Sequence, residues 1–223
     1  MDLEIVTLAE RPQPWDLFWD METSWPEYML HDPIGNGYYA SLEEFTEYVL
    51  VGLDATGRMV VKAHSVPFVL PEGALPDAVS AVEIAIEPGL QGTGLSARAV
   101  AALRDNAARL GHSELLAPVR PNGKTDVHEP MADYAFRTRD DGLPVDPWLR
   151  VHVRVGGRID RVAPRSMVIP GTVEEWREWT GLPFDTTGPV EVPGALAPVM
   201  CDAEHGTATY VEPNVWVRHP TGA

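Results

Sequence analysis

A glycine-rich loop offers the clearest chemistry in the sequence. Gly92 and Gly94 lie between a β-prone run, residues 78–86, and a helix predicted to begin near Ser96. Glycines let the backbone approach a bound group closely, and the unpaired N–H groups and dipole of a helix N-terminus attract negative charge. The loop therefore predicts an anion site, suited to a diphosphate, that requires no basic side chain.

The same loop also fits a dinucleotide-binding fingerprint, because residues 92–97 read G-x-G-x-x-A. In that fingerprint the first glycine follows its strand directly, whereas Pro88 and three further residues stand before Gly92. The acidic residue expected at the end of the next strand is also displaced, since Glu114 begins that strand. A structural glycine turn that binds nothing is the third interpretation.

Residues 84–97, IAIEPGLQGTGLSA, resemble motif A of the GNAT superfamily of N-acyltransferases. In that motif a strand ends at a proline or acidic turn, and a Q/R-x-x-G-x-G/A loop starts a long helix. Gln91, Gly94 and Ser96 occupy the three marked positions, with Ser96 in place of glycine or alanine. The resemblance implies acetyl-CoA or coenzyme A as co-substrate. It implies these binding residues: Ile84, Ala85, Ile86, Gln91, Gly92, Thr93, Gly94, Leu95 and Ser96.

Residues 149–157 resemble a later GNAT pattern, in which a short helix carries a tyrosine four residues before a glycine. His152 stands at the tyrosine position before Gly156, and the resemblance implies that it protonates the departing coenzyme A thiolate. A packing histidine is the alternative. Asn122 resembles the family asparagine that bonds the pantetheine arm, although residues 121–147 separate it unusually far from His152.

The resemblance also implies that the amine of a small molecule attacks the thioester directly, which requires a base. Glu83 is the leading candidate because it precedes Ile84 on the coenzyme-binding strand, and Glu87 is second. Strand alternation places both carboxylates on the face opposite Ile84 and Ile86. A solvated or ion-paired carboxylate is the alternative for each. The long loop adds three unranked candidates, Asp126, His128 and Glu129.

Periodicity and turn residues predict an α/β protein with a mixed, mostly antiparallel sheet flanked by helices. Residues 54–57 predict a hairpin turn, and capping boxes predict helices that start at Ser41 and Thr172. The clearest helix runs from Ser96 to Gly111. Tryptophans 15, 19 and 25 line the acceptor site or, as we favour, pack in the core.

The C-terminal part predicts a hairpin formed by residues 197–200 and 207–217, which completes the sheet or covers the acceptor site. Residues 121–147 read as a long inserted loop. We expect a single GNAT-like domain, 1–223, with a core of about 4–169 and an extension of about 170–223.

Composition limits the partners. With 17 basic and 33 acidic residues the net charge is −16, which repels nucleic acid. The excess of carboxylates suits a cationic amine acceptor or, equally, serves only solubility as solvated surface charge. The single cysteine, Cys201, excludes an internal disulfide, and no histidine spacing predicts a metal site. No run predicts a membrane span, so we expect a cytoplasmic protein. The fold class allows a homodimer, and a GNAT-like module that binds acyl-CoA without catalysis is a second functional alternative.

Overall fold

A computed structural model describes residues 3–12, 15–68 and 78–222 of the chain. Within these residues nine strands form one sheet. The strands are β1 (Leu3–Thr7), β2 (Val49–Asp54), β3 (Met59–Pro67), β4 (Ala78–Ile86), β5 (Glu114–Val119), β6 (Arg158–Thr172), β7 (Gly188–Val190), β8 (Val199–Asp202) and β9 (Thr207–Pro220). The α-helices are α1 (Trp15–Asp20), α2 (Pro33–Ala40), α3 (Leu95–Arg109), α4 (Met131–Tyr134), α5 (Pro147–Arg154) and α6 (Val173–Thr180).

The strand order is β1-β2-β3-β4-β5-β9-β8-β7, and β6 pairs with the second edge of β9. Among the described strands only β4 and β5 are parallel, and all other pairs are antiparallel. The predicted mixed, mostly antiparallel sheet is confirmed. A doubly wound dinucleotide-binding sheet is built from parallel strands, so this topology does not fit that alternative.

Helix α3 covers one face of the sheet, because its buried residues Leu95, Ala99, Leu103 and Ala107 recur at helical spacing. They join a core cluster to which the β4 side chains Ile84 and Ile86 also belong. On the opposite face Ala85 packs with Phe18, Met21 and Leu42 from the N-terminal segments. The alternation of β4 thus separates the α3 side from the α1 side, as the sequence predicts.

The prediction that an α-helix starts at Ser41 is wrong. The Ser41 hydroxyl donates back to the carbonyl oxygens of Gly37 and Tyr38, and residues 42–48 form a 3₁₀ helix with a kink at Phe45. The α-helix lies earlier, as α2, where the Asp32 side chain accepts hydrogen bonds from two backbone amides. The sequence did not indicate this helix because it contains Gly35 and Gly37, and glycine is unfavourable inside helices.

Other sequence predictions hold. Thr172 and Glu175 form the predicted capping box of α6, and the hairpin turns after Asp54 as expected. In the region of β6, β-prone residues predict a strand only over 165–169. Strand β6 is much longer, because it pairs with β9 along most of its length. The C-terminal hairpin completes the sheet, with β9 lying between β5 and β6. A β-prone run over residues 58–70 predicts the strand after the Asp54 turn, which the structure describes as β3, Met59–Pro67. Residues 69 and 70 of that run lie outside the described residues.

Candidate active site

A cavity of about 530 Å³ opens where β4 and β5 separate. The two strands pair only over Ala78–Ser80 and Glu114–Leu116, so the carboxyl end of β4 has no partner on its β5 edge. The size is typical of a small-molecule or cofactor site. Its walls are Ser24, Trp25, Pro26, Ile84, Ala85, Ile86, Leu90, Gln91, Gly92, Leu95, Ser96, Arg120, Asn122, Trp148 and Gly194.

The glycine loop borders this cavity and has the backbone features of a concavity suited to an anion. Gly92 and Gly94 have φ angles of +77° and +88°, which L side chains rarely adopt. The amides of residues 92–97 have no backbone hydrogen-bond partner among the described residues. Successive unpaired N–H groups at a helix N-terminus attract a phosphate group without a basic side chain.

Most of the sequence-predicted coenzyme residues meet at this cavity. Two of them, Thr93 and Gly94, lie in the loop without forming the cavity wall, and the Thr93 hydroxyl donates to the Leu90 carbonyl oxygen at 2.6 Å. The residues that line the wall are Ile84, Ala85, Ile86, Gln91, Gly92, Leu95, Ser96 and Asn122.

Asp146 joins the two ends of the long loop 121–147 through its carboxylate, and we call these contacts the Asp146 clamp. One carboxylate oxygen of this buried residue accepts from the Gly123 amide at 2.7 Å and from the Tyr134 hydroxyl at 3.0 Å. The other oxygen caps α5 by accepting from the Trp148 and Leu149 amides. The chain neighbours of Gly123 and Pro147 are Asn122 and Trp148, so the clamp brings these two wall residues together despite the insertion.

We predict that Asp146→Ala weakens acetyl-CoA binding by roughly 10-fold, because Asn122 and Trp148 lose their common anchor. Loss of the helix cap alone costs about 1 kcal/mol of stability, and the Gly123 amide loses its acceptor as well. Calorimetric titration measures the affinity. Asp32→Ala is the matched control, since Asp32 caps α2 ahead of Pro33 in the same way but lies outside the cavity wall. Equal coenzyme affinity in both variants would contradict the clamp.

Glu83 lies behind the cavity wall rather than in it. Its carboxylate is only 8% exposed and accepts from Trp25 Nε1 at 2.5 Å and from the Tyr39 hydroxyl at 3.0 Å, with His64 Nε2 at 2.8 Å. Burial raises the pKa of Glu83, but the hydrogen bonds and charge of His64, with Trp25 and Lys62, outweigh it and lower that pKa to about 2. Glu83 is therefore ionised, with Trp25 between it and the cavity.

The other carboxylates predicted as bases lie outside the cavity wall. Glu87 pairs with Arg58 at 2.6 Å, and Asp126 accepts from the His128 amide. His128 is paired with Glu191 at 2.9 Å on the surface, and Glu129 forms an ion pair with Arg137.

His152 is buried on α5, next to Trp148, which forms the wall. Its Nδ1 atom lies 2.9 Å from Nε2 of His219, and its Nε2 atom has no partner among the described residues. Burial, and then the charge of His219, holds the pKa of His152 well below its usual range. Burial also lowers the pKa of His219 to about 4. Both imidazoles are therefore neutral at pH 7.

This histidine pair predicts acid sensitivity. Because the folded-state pKa values lie below the unfolded value of about 6.5, the unfolded chain binds more protons, and stability is lost as pH falls below about 6.5. Between pH 7 and pH 5 we expect about 2 kcal/mol of loss from His219, or roughly 4–8 °C in Tm. Thermal unfolding of His219→Gln should show a drop smaller by that amount; an identical drop would contradict the assignment.

The sequence left Trp25 between the acceptor site and the core, with the core favoured. Two further wall residues, Arg120 and Trp148, were not considered as site residues. Their positions could have indicated them from the sequence, because Arg120 directly follows β5 and Trp148 lies in the first turn of α5. Trp19, by contrast, is 52% exposed and not part of the core, and the Trp15 side chain lies outside the described residues.

Two general properties follow from the described residues. No helix in this part of the chain is long and apolar enough to cross a bilayer. No group of three or more His, Cys, Asp or Glu side chains within residues 3–12, 15–68 and 78–222 is arranged to hold a metal ion.

Comparison with known proteins places this geometry among acyl-CoA enzymes. No family model matches the chain. It is 30% identical over 270 aligned residues to arginine N-acetyltransferase avaD from Aspergillus versicolor, covering 96% of this chain and 92% of that protein.

Solved structures share the fold at low identity. The loading GNATL domain of CurA from Lyngbya majuscula is 17% identical with a TM-score of 0.63, covering 99% of this chain and 98% of that one. The GphF GNAT-like decarboxylase in complex with isobutyryl-CoA is 15% identical with a TM-score of 0.55, covering 99% and 100%. The acetyltransferase yncA from Salmonella typhimurium, solved with acetyl-CoA, is 12% identical with a TM-score of 0.52, covering 99% and 95%.

Proposed function

Because this chain belongs to the GNAT superfamily and is an acyl-CoA-dependent N-acetyltransferase, we propose that it acetylates the amine of a small molecule, arginine or an arginine derivative. The observation that carries the proposal is one continuous cavity. It joins the diphosphate-binding loop at Gly92 to a chamber walled by Trp25 and Arg120. Arginine is the first acceptor to test, because the 30%-identical relative is an arginine N-acetyltransferase and this chain has a net charge of −16.

The coenzyme is proposed to follow the separation of β4 from β5. Its diphosphate binds the amides of residues 92–97, and its pantetheine arm bonds the unpaired edge of β4 at residues 84–86. Asn122, which faces the cavity and is exposed to it, donates its amide to the same arm. This path leaves the thioester near Trp25, whose indole lines the cavity and reaches Glu83, the residue before Ile84.

The reaction is direct attack. The acceptor nitrogen forms a bond to the thioester carbonyl carbon, the carbon–sulfur bond breaks, and the nitrogen loses a proton while the thiolate gains one. We assign the base role to Glu83, acting on the acceptor side of the sheet through the hydrogen-bonded groups that it contacts. Tyr39 is the contact that could pass a proton to the carboxylate, because its hydroxyl donates to Glu83 Oε2.

We assign the stabilisation of the leaving thiolate to His152. Its unpartnered Nε2 is available as a donor when Nδ1 accepts from His219. Because the imidazole is neutral, it acts chiefly as a hydrogen-bond donor, so we expect an effect at the low end of general acid catalysis. His152→Ala should lower kcat by roughly 10- to 100-fold with acetyl-CoA affinity intact. Steady-state kinetics across pH measures this, and wild-type turnover would reduce His152 to packing.

The proposed function is tested by ligand binding and thiol release. Acetyl-CoA should raise Tm with the logarithm of its concentration, whereas NADH at the same concentrations should not. Thiol release from acetyl-CoA is then followed with L-arginine, agmatine, lysine and a polyamine, each with product mass measured. Acetyl-CoA binding without acetylation of any amine would support a non-catalytic acyl-CoA-binding module instead.

A further inference from the structure

Arg120 is a basic residue held rigidly in the wall of the cavity. Its Nε donates to Glu212 Oε2 at 2.9 Å, and its Nη2 donates to the Gly194 carbonyl oxygen at 2.5 Å. The side chain is 18% exposed, and beyond these two bonds the Tyr28 hydroxyl is the hydrogen-bonding neighbour of its guanidinium among the described residues. Because a guanidinium carries five N–H donors, Arg120 still presents an unused donor from a fixed position.

The position of Arg120 is fixed by a buried network. Glu212 is fully buried and accepts from the Tyr210 hydroxyl at 2.7 Å as well as from Arg120. The Tyr210 hydroxyl in turn accepts from the Leu196 amide at 2.8 Å. A guanidinium that is bonded on two sides loses little further side-chain entropy on binding a ligand. The ion pair with Glu212 also offsets its positive charge.

A second unused donor lies beside Arg120. The Tyr28 hydroxyl is buried and its oxygen has the Arg120 guanidinium as a donor neighbour, but its own O–H proton has no acceptor among the described residues. Tyr28 packs edge-on against Tyr210, and its hydroxyl lies 4.0 Å from the position that a side chain at Gly194 would occupy. Burial raises the pKa of Tyr28 to about 12, with the Arg120 charge opposing, so the hydroxyl keeps its proton. A buried donor without an acceptor costs stability until a ligand or water supplies one.

We propose that the Arg120 guanidinium and the Tyr28 hydroxyl bind a carbonyl-type oxygen of the acceptor molecule. In free arginine this oxygen belongs to the carboxylate, and in an arginine derivative it belongs to an amide. Because Glu212 offsets the charge of Arg120, the pair of donors accommodates a neutral carbonyl as well as an anion. The inference rests on the proposed function, whose acceptor it places, and it makes Arg120 a determinant of specificity.

The test compares three acceptors that differ at this group: L-arginine with a carboxylate, L-argininamide with an amide, and agmatine with neither. We expect the wild type to favour the first two over agmatine by about 10- to 100-fold in kcat/KM, the range for hydrogen bonds to a charged donor. Tyr28→Phe and Arg120→Gln should each reduce this preference through acceptor KM, while the Kd for acetyl-CoA stays unchanged. A higher kcat/KM for L-arginine indicates that the bound oxygen belongs to a carboxylate, and a higher value for L-argininamide indicates an amide oxygen. Equal values indicate that the site accepts either.

Arg218→Gln is the control, because Arg218 forms a similar ion pair with Glu114 away from the cavity wall. Tyr28→Phe keeps the proposal testable if Arg120→Gln fails to fold. Two results would overturn this inference without affecting the proposed function. One is that the wild type uses agmatine with the same kcat/KM as L-arginine. The other is that Tyr28→Phe and any folded Arg120→Gln variant keep the wild-type preference. If the variants bind acetyl-CoA more weakly but keep the wild-type acceptor preference, Arg120 and Tyr28 bind the coenzyme instead, and the inference is wrong. If none of the three compounds is acetylated, the proposed acceptor class fails first.

Discussion

Replacing Gly94 with valine is expected to weaken acetyl-CoA binding about 100-fold. Gly94 caps α3 with a φ of +88°, where a β-branched residue is strained by about 1–3 kcal/mol. Relief of that strain turns the loop amides away from the diphosphate, and each lost charge-assisted hydrogen bond adds about 1.5–3 kcal/mol. Apart from the chain neighbours, no atom of the described residues lies within 4 Å of the added Cβ, so crowding does not account for the effect.

Gly111→Val is the matched control for this substitution. Gly111 follows the other end of α3 and has a φ of +86°, and a Cβ there would likewise meet no described atom within 4 Å beyond its chain neighbours. Both variants should lose similar stability, which thermal unfolding measures. Calorimetric titration should then show wild-type coenzyme affinity for Gly111→Val and a large loss for Gly94→Val. If a folded Gly94→Val protein binds acetyl-CoA with unchanged affinity, the diphosphate does not bind at this loop.

Replacing Glu83 with glutamine is expected to lower kcat by roughly 100-fold, the low end of the usual general-base contribution, because its lowered pKa makes the carboxylate a weak base. The Kd for acetyl-CoA should not change, because Glu83 does not line the cavity. Glutamine keeps the shape of the side chain and can still accept from Trp25 Nε1, but it cannot take up a proton. Presteady-state and steady-state rates with the best acceptor measure the loss.

Trp25→Phe separates this role from a purely structural one. The carboxylate of Glu83 holds the Trp25 indole at 2.5 Å, and the indole forms part of the cavity wall. Phenylalanine removes that hydrogen bond and leaves the carboxylate with Tyr39 and His64. We expect Trp25→Phe to change acceptor KM more than kcat. If it lowers kcat as much as Glu83→Gln, Glu83 acts by positioning Trp25, and the base assignment is wrong.

Local signals predicted the glycine loop and α3 well. The proline turn, the two glycines and the apolar spacing of α3 are contiguous, so one stretch of sequence contains both the loop proposed to bind the diphosphate and the helix that supports it. The capping box at Thr172 and the turn after Asp54 are local in the same sense. Each depends on residues within four positions of one another, for which sequence spacing determines spatial contact.

The acceptor end could not be predicted because it is built from distant segments. Arg120 is fixed by Glu212 and Gly194, and Trp25 is fixed by Glu83, contacts that only the sheet topology creates. The same reasoning explains the underestimated β6, whose extent is determined by pairing with β9 rather than by its own composition. Asn122 and Trp148 likewise meet only because Asp146 closes the loop between them.

Acetyl transfer to a small amine is tested most directly by following a labelled acetyl group. The protein is incubated with acetyl-CoA labelled in the acetyl carbon and with L-arginine, and the products are separated and identified by mass spectrometry. The label should appear in acetylarginine in a one-to-one ratio with released coenzyme A, and Gly94→Val should abolish both at limiting coenzyme. Release of coenzyme A with the label recovered as free acetate, or no turnover with any amine tested, would contradict the proposed transfer.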